Sequence, residues 1–333
     1  MKKILLLQTG GTIAMQPNSD GAQINTDKWL TTLYKEMPEL RQIANIDVES
    51  LFYEDSSDVN QTHWKQLAEE IYNKRSNFDG IVVLHGTDTM AYTASALSFA
   101  LQNLNIPVIF TGSQVPMSNI RSDARRNLVN AVEMATHPIK EIAICFNDYL
   151  FRGNRSTKMS IGDFDAFSSP NFQPLAQIGI KIDFSKYVRR DVAEETTCSP
   201  LFDDAVHVIK VFPNLNPEML DCINLERTKA VIFEAFGIGN IPIKGKYNLL
   251  PFVEKCRDWN CHVVINSQAP YDAVDLSQYR SGRELQKLGG LSGGEMTMEA
   301  TITKTMYLLG HKLDDAGFRE QFMKNISGER TEI

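Results

Sequence analysis

Nowhere does this 333-residue chain string together the roughly 18 uninterrupted apolar residues of a membrane-spanning helix. A membrane partner is therefore not expected. At the N-terminus two lysines precede an apolar run, as in an export signal, but only Ile4 to Leu7 are apolar before Gln8 and Thr9. A signal needs roughly 7–15 apolar residues and a small-residue cleavage site, so these four residues read as a strand and the protein is expected to be cytoplasmic. Basic residues are also in deficit, with 34 Lys and Arg against 41 Asp and Glu and a net charge of −7. That excludes the basic stripe of a nucleic-acid surface.

Metal-binding spacing is missing too. Cys145, Cys198, Cys222, Cys256 and Cys261 are scattered with no CxxC pair, and the six histidines form no HExxH motif. Neither a metal nor another cofactor is expected, and the thiols read as reduced. A nucleotide site lacks its motifs as well, since neither GxxxxGK[ST] nor GxGxxG occurs.

What is present is an alternation of apolar runs with helix-period segments. Strands are expected at Lys3–Gln8, Asp47–Tyr53, Gly80–His85, Pro107–Thr111 and Ile142–Asn147. After Asn60, a helix cap, residues Trp64, Leu67, Ala68 and Ile71 recur at the spacing of one helical face. Such βαβ alternation implies an α/β fold built on a parallel sheet with helices on both sides. The length exceeds what one core usually serves, so two domains are expected. The rhythm breaks at "RRDVAEETTCSPLFDD". The organisation read from this is a larger domain at 1–188, a linker at 189–204 and a smaller α/β domain at 205–333. In the latter, strands are expected at Val206–Phe212, Ala230–Glu234 and His262–Asn266, with helices near Pro217–Glu226, Leu249–Trp259 and Met296–Leu309.

Ligands of an open parallel sheet bind beyond the strand C-termini, which directs attention to four loops. They read Thr9-Gly10-Gly11-Thr12, Asp55-Ser56-Ser57-Asp58, Gly86-Thr87-Asp88-Thr89 and Gly112-Ser113-Gln114. Glycine beside a hydroxyl lets backbone N–H groups approach a ligand and suits a nucleophile loop, although Gly-Gly-Thr by itself reads equally as a tight turn or an anion cradle. A threonine needs a neighbour to take its proton. Asp88 and Lys158 are the candidates, and their plain alternatives are a helix cap and a solvated surface charge.

The segments "TGGTIA" at 9–14, "HGTDTMAYTASALSF" at 85–99, "TGSQ" at 111–114, "RGNRSTK" followed by "DFDAFSSPN", "GIGN" and "EMTMEATITK" occur in that order along nearly the whole chain. Together they resemble the type I, cytoplasmic L-asparaginases. The resemblance implies hydrolysis of L-asparagine to aspartate and ammonia through an acyl-threonine intermediate. It makes Thr12 the nucleophile and Thr87, Asp88 and Lys158 a second group that activates it or the deacylating water. Substrate binding would fall to Gly11, Asp55, Ser56, Ser57, Thr87 and Asp88, with Asn240 supplied across a subunit interface in a homodimer or homotetramer. One step is awkward, because a lysine accepts a proton only when neutral and a carboxylate beside it favours the charged form.

Two departures stand out. Many relatives carry a flap tyrosine in a Gly-Tyr-Ile context, whereas Ala22 stands between Gly21 and Gln23 here; another tyrosine enters the site or the flap tyrosine is dispensable. Some type I enzymes bind a second asparagine through an arginine where this chain has Glu234, and through a cysteine near its Pro270. An anion opposes carboxylate binding, so that allosteric response is expected to be absent. Alternatives are a glutaminase-asparaginase, a transfer-RNA amidotransferase subunit, for whose extra N-terminal module a nucleophile loop at residue 9 leaves no room, and a non-catalytic amino-acid sensor.

Overall fold

A computed structural model describes residues 1–11, 26–192 and 194–331. Chain contacts divide it into two compact units, Met1–Pro200 and Leu201–Ile333. The first unit begins β1 (Lys3–Gly10), α1 (Thr26–Glu36), α2 (Leu40–Ile43), β2 (Asn45–Glu54), α3 (Gln61–Lys74), β3 (Gly80–Leu84) and α4 (Met90–Ala100). It continues with β4 (Leu101–Gln102), β5 (Val108–Thr111), α5 (Ala124–Ala135), β6 (Ile142–Phe146), β7 (Tyr149–Arg152) and β8 (Thr157–Lys158). Short strands β9 (Phe167–Ser168), β10 (Ala176–Ile178), β11 (Ile182–Phe184) and β12 (Thr197–Cys198) complete it.

Eight strands form the main sheet in the order β11-β10-β7-β6-β5-β3-β1-β2. From β2 through β6 every pairing is parallel. Alternate residues of β1 and β3 explain the layering: Ile4, Leu6, Val82 and Leu84 join Trp29, Leu33, Leu40, Leu128 and Ala131 in one core. Leu5, Leu7, Ile81 and Val83 point the other way and are equally buried, so both sheet faces are covered, as a parallel sheet requires. The Asn60 expectation holds in detail. Its side chain accepts from the Thr62 N–H, and Trp64, Leu67, Ala68 and Ile71 form the buried face of α3.

The expected parallel-sheet fold holds, with one addition and two corrections. The addition is an edge of the sheet where β7, β10 and β11 pair antiparallel. The fifth strand stops at Phe146 instead of Asn147, since Asn147 takes a positive φ of 50° in the two-residue turn to β7, a conformation asparagine tolerates. The segment after Pro217 is only a 3-10 turn, Pro217–Cys222. Within 189–204, β12 pairs with β4, and the Thr196 hydroxyl donates to the Asn103 carbonyl at 2.8 Å.

The second unit holds a parallel sheet of β13 (Val206–Lys210), β14 (Ala230–Ala235), β15 (His262–Ser267) and β16 (Leu291–Ser292). Its helices are α6 (Leu250–Asp258), α7 (Arg280–Lys287), α8 (Met298–Gly310) and α9 (Asp315–Met323). Its end is fastened by a buried ion pair. Lys304 Nζ, fully enclosed on α8, donates to Glu329 Oε1 at 2.6 Å and to the carbonyls of Phe322 at 2.8 Å and Lys324 at 2.6 Å. Glu329 also accepts from the N–H groups of Ile326 and Ser327. Breaking a buried pair leaves its partner uncompensated. Lys304→Met is expected to destabilise this unit by about 3–5 kcal/mol in urea unfolding, and adding Glu329→Gln to recover part of the loss.

Candidate active site

Parallel strands β2-β1-β3-β5-β6 place the sheet's switch point between β1 and β3. The chain leaves β1 for β2 on one side and returns to β3 on the other, so the loops beyond the two strands part and open a crevice. Their close seating is a glycine property. Gly11 has φ +79°, and a Cβ there would lie 2.5 Å from the Gly86 nitrogen. A Cβ on Gly86 would in turn meet Ser56 Cβ and Oγ at 2.6 Å. Only hydrogen at both positions lets the three loops touch. The Thr89 hydroxyl reinforces the seam by donating to the Ser56 carbonyl at 2.6 Å.

Lys158 arrives from β8, and its ammonium donates to Thr87 Oγ1 at 2.8 Å and Asp88 Oδ1 at 2.6 Å. The lysine side chain is 15% exposed and that of Asp88 64%. Asp88 therefore serves no helix cap: α4 starts at Met90, with Thr89 in the cap position. On the neighbouring loop, Asp55 Oδ1 accepts from the Ser57 N–H at 2.9 Å and the Ser57 hydroxyl at 2.8 Å. Those bonds hold its carboxyl below the usual carboxylate range. Ser56 is buried while Asp55 and Ser57 are exposed.

Thr87, Asp88 and Lys158 are thus in mutual contact, and Gly11, Ser56 and Gly86 meet beside them. Thr12 and the flap residues Gly21, Ala22, Gln23 and Ile24 lie outside the described residues. Asn240 lies in the second unit, where its N–H donates to the Phe236 carbonyl at 2.8 Å in a turn. Glu234, also in that unit, is paired with Lys210 Nζ at 3.2 Å. Among the described residues no three His, Cys, Asp or Glu side chains cluster as a metal site, and no helix is long and apolar enough to cross a membrane.

No local signal in the sequence marks His85, although it adjoins the Gly-Thr-Asp motif. Its ring is buried; Nδ1 donates to the Gly86 carbonyl at 2.7 Å and Nε2 accepts from the Thr93 hydroxyl at 3.0 Å. The Thr93 oxygen itself accepts from Trp64 Nε1 at 3.2 Å. This chain of donors fixes a neutral tautomer and holds the loop from beneath. Asp123 is equally unmarked. Its carboxylate accepts from the N–H groups of Gln114 and Val115, at 3.0–3.1 Å, and from Asn127 Nδ2 at 2.9 Å.

Hydroxyls, a carboxylate and an ammonium gathered at the switch point of an open α/β sheet define an enzyme site for a small polar ligand. The comparisons narrow the class. The family model "Asparaginase, N-terminal" matches residues 3–190 and "Glutaminase/Asparaginase C-terminal domain" matches 205–322. L-asparaginase 1 of Escherichia coli K12 is 38% identical over 335 residues, covering 99% of this chain and 98% of that protein. Among solved structures, the L-asparaginase of Thermococcus kodakarensis superposes with a TM-score of 0.90 at 34% identity, covering 99% of this chain and all of the other. L-asparaginase I of Vibrio cholerae gives 0.89 at 36% identity, with 99% of both chains covered. The chain belongs to the asparaginase family.

Burial pushes the His85 imidazole down to about 4 from 6.5, outweighing its bond to Gly86. Between those values the unfolded chain binds a proton that the folded chain does not, so this contribution is complete above 6.5 and lost as pH falls towards 4. Moving from pH 7 to pH 5 is expected to cost the wild type about 2 kcal/mol more unfolding free energy than it costs His85→Gln, as measured by urea titration at the two pH values.

Proposed function

We propose that this protein is an L-asparaginase, converting L-asparagine and water to L-aspartate and ammonia. One observation carries the reading: the Lys158 ammonium contacts both the Thr87 hydroxyl and the Asp88 carboxylate at the sheet's switch point. The full-length likeness to proteins named L-asparaginase supports the substrate.

Thr12 follows Gly11 directly in the sequence and is assigned as the nucleophile. Its hydroxyl oxygen attacks the side-chain amide carbon, and its proton is relayed to the amide nitrogen across the Thr87 oxygen. The tetrahedral intermediate expels ammonia, which carries that proton away and leaves an aspartyl ester on Thr12. Water then attacks the ester, releasing aspartate and restoring the hydroxyl. Backbone N–H groups near Thr87 are assigned to the developing oxyanion. The carboxylates of Asp55 and Asp88, with the hydroxyls of Ser56 and Ser57, are assigned to the substrate's α-ammonium and α-carboxylate. Gly11 completes the pocket by letting backbone approach.

The reading extends to assembly and place. The chain is organised as an N-terminal domain at 1–188 carrying the nucleophile loops, a linker at 189–204 and a smaller domain at 205–333. It works as a homodimer or homotetramer in the cytoplasm, with Asn240 reaching a neighbouring subunit's site, and uses no cofactor. Glutamine presents the same charged end one methylene further away, a difference worth about 1–3 kcal/mol in a pocket. Weaker glutaminase activity therefore accompanies the main one.

Ammonia release from asparagine tests the proposal. Thr12→Ala and Thr87→Ala are each expected to lower the rate by about a thousandfold or more, and a wild type that binds asparagine without releasing ammonia would identify a sensor instead. Velocity against asparagine concentration is expected to be hyperbolic, because Glu234, an anion, stands where some relatives carry the arginine that binds a second asparagine. A sigmoidal curve would contradict that assignment.

A further inference from the structure

Gln114 occupies the loop beyond β5 and contacts the candidate site in three directions. Its Nε2 donates to the carbonyls of Ser160 at 3.2 Å and Asp163 at 3.3 Å. Its Oε1 faces Thr87 Oγ1 at 3.2 Å. Rotating the amide by half a turn would set the oxygen against two carbonyl acceptors, so the network fixes which end faces Thr87. An amide oxygen only accepts; the Thr87 hydroxyl must donate to it. The Lys158 ammonium, which only donates, then takes a lone pair of the same hydroxyl at 2.8 Å.

The backbone of Gln114 is equally constrained. Its N–H is held by the buried Asp123 carboxylate, and that carboxylate is anchored by Asn127, whose Nδ2 also donates to the Gly112 carbonyl at 2.9 Å. Ser160 and Asp163 belong to the turn that follows Lys158 and leads to β9. One side chain thus ties the lysine-bearing hairpin to the loop carrying Thr87.

We propose that Gln114 is a positioning residue for Thr87: it sets the direction of the hydroxyl proton and keeps the Lys158 hairpin in register with that hydroxyl. This rests on the reading of Thr87 and Lys158 as parts of an amide-hydrolysing site. With the proton turned towards Gln114, the oxygen lone pairs face the ammonium and the crevice. Without that acceptor the hydroxyl rotates freely, and the proton path through Thr87 must be found again in each turnover. Asp55, Ser56 and Ser57 make none of these contacts and Asp88 is reached only through Lys158, so substrate capture changes far less than turnover.

The test compares Gln114→Met, which keeps the side chain's length but no polar atom, with Gln114→Glu, which keeps an acceptor for the Thr87 hydroxyl but gives up both bonds to the Ser160 and Asp163 carbonyls. For Gln114→Met, kcat for asparagine is expected to fall about tenfold with KM changed by less than about twofold. Gln114→Glu is expected to recover at least about threefold of that loss at matched thermal stability. Added to Thr87→Ala, Gln114→Met is expected to lower the residual rate no further, because its effect runs through the missing hydroxyl. Equal losses in the Met and Glu variants, a loss confined to KM, or a full second tenfold drop in the Thr87→Ala background would each overturn the proposal. A wild type that releases no ammonia from asparagine or glutamine would instead remove the reading on which it rests.

Discussion

The Lys158 ammonium is the point on which this arrangement turns, since it must cross 71 residues of sequence to reach Thr87. A parallel sheet alone does not deliver it. After β6 the chain reverses through Asn147 and Asp148 into antiparallel β7, which brings it back across the sheet edge to α4, the helix that begins one residue after Thr89. There Gly153 seats against Ala94 and Ile142, where an added Cβ would stand 3.2 Å and 3.0 Å from their side chains. The chain then turns through Gly153–Arg155 into β8 and Lys158. Under this turn lies the buried pair of Arg152 Nε and Glu141 Oε2 at 2.6 Å, with Arg152 also donating to the Tyr187 carbonyl. The element that starts at the hydroxyl loop therefore also supports the turn that returns the lysine to it.

This explains which parts of the molecule were legible in the sequence. Strands β1, β3, β5, β14 and β15 are continuous apolar runs, and the α3 face and its Asn60 cap repeat with helical period; these are local signals. The loop residues Asp55, Ser56, Thr87 and Asp88 were findable because strand ends fix where a parallel sheet keeps its chemistry. The antiparallel edge was less visible. Asn147-Asp148 is a hairpin signal, but the expected alternation carried past it, and β10 and β11, three residues each, are too short for a period to register. Pro217–Cys222 shows the opposite failure: Asn216 caps and Pro217 follows at the first position as a helix start should, yet the turn stops at Cys222. Gln114 acts through side-chain partners remote in sequence, Thr87, Ser160 and Asp163, and only folding makes those pairs neighbours.

Buried polar groups in this protein divide by how completely they are consumed. Lys304 spends its three N–H groups on one carboxylate and two carbonyls and is wholly enclosed; such a cation can hold a chain segment but has no donor to offer a ligand. His85 is likewise spent, one nitrogen on Gly86 and the other on Thr93, and its depressed basicity reflects enclosure, so perturbation by itself does not mark it as a reactive group. The cluster at the switch point is built differently. Its lysine is shielded while its aspartate faces outward, two-thirds exposed, so the carboxylate meets solvent without losing its internal partner. The rigid pairs around it and the half-open pair within it are complementary, because an acid and a hydroxyl can be presented to solvent in a fixed direction only where the groups behind them have no freedom left.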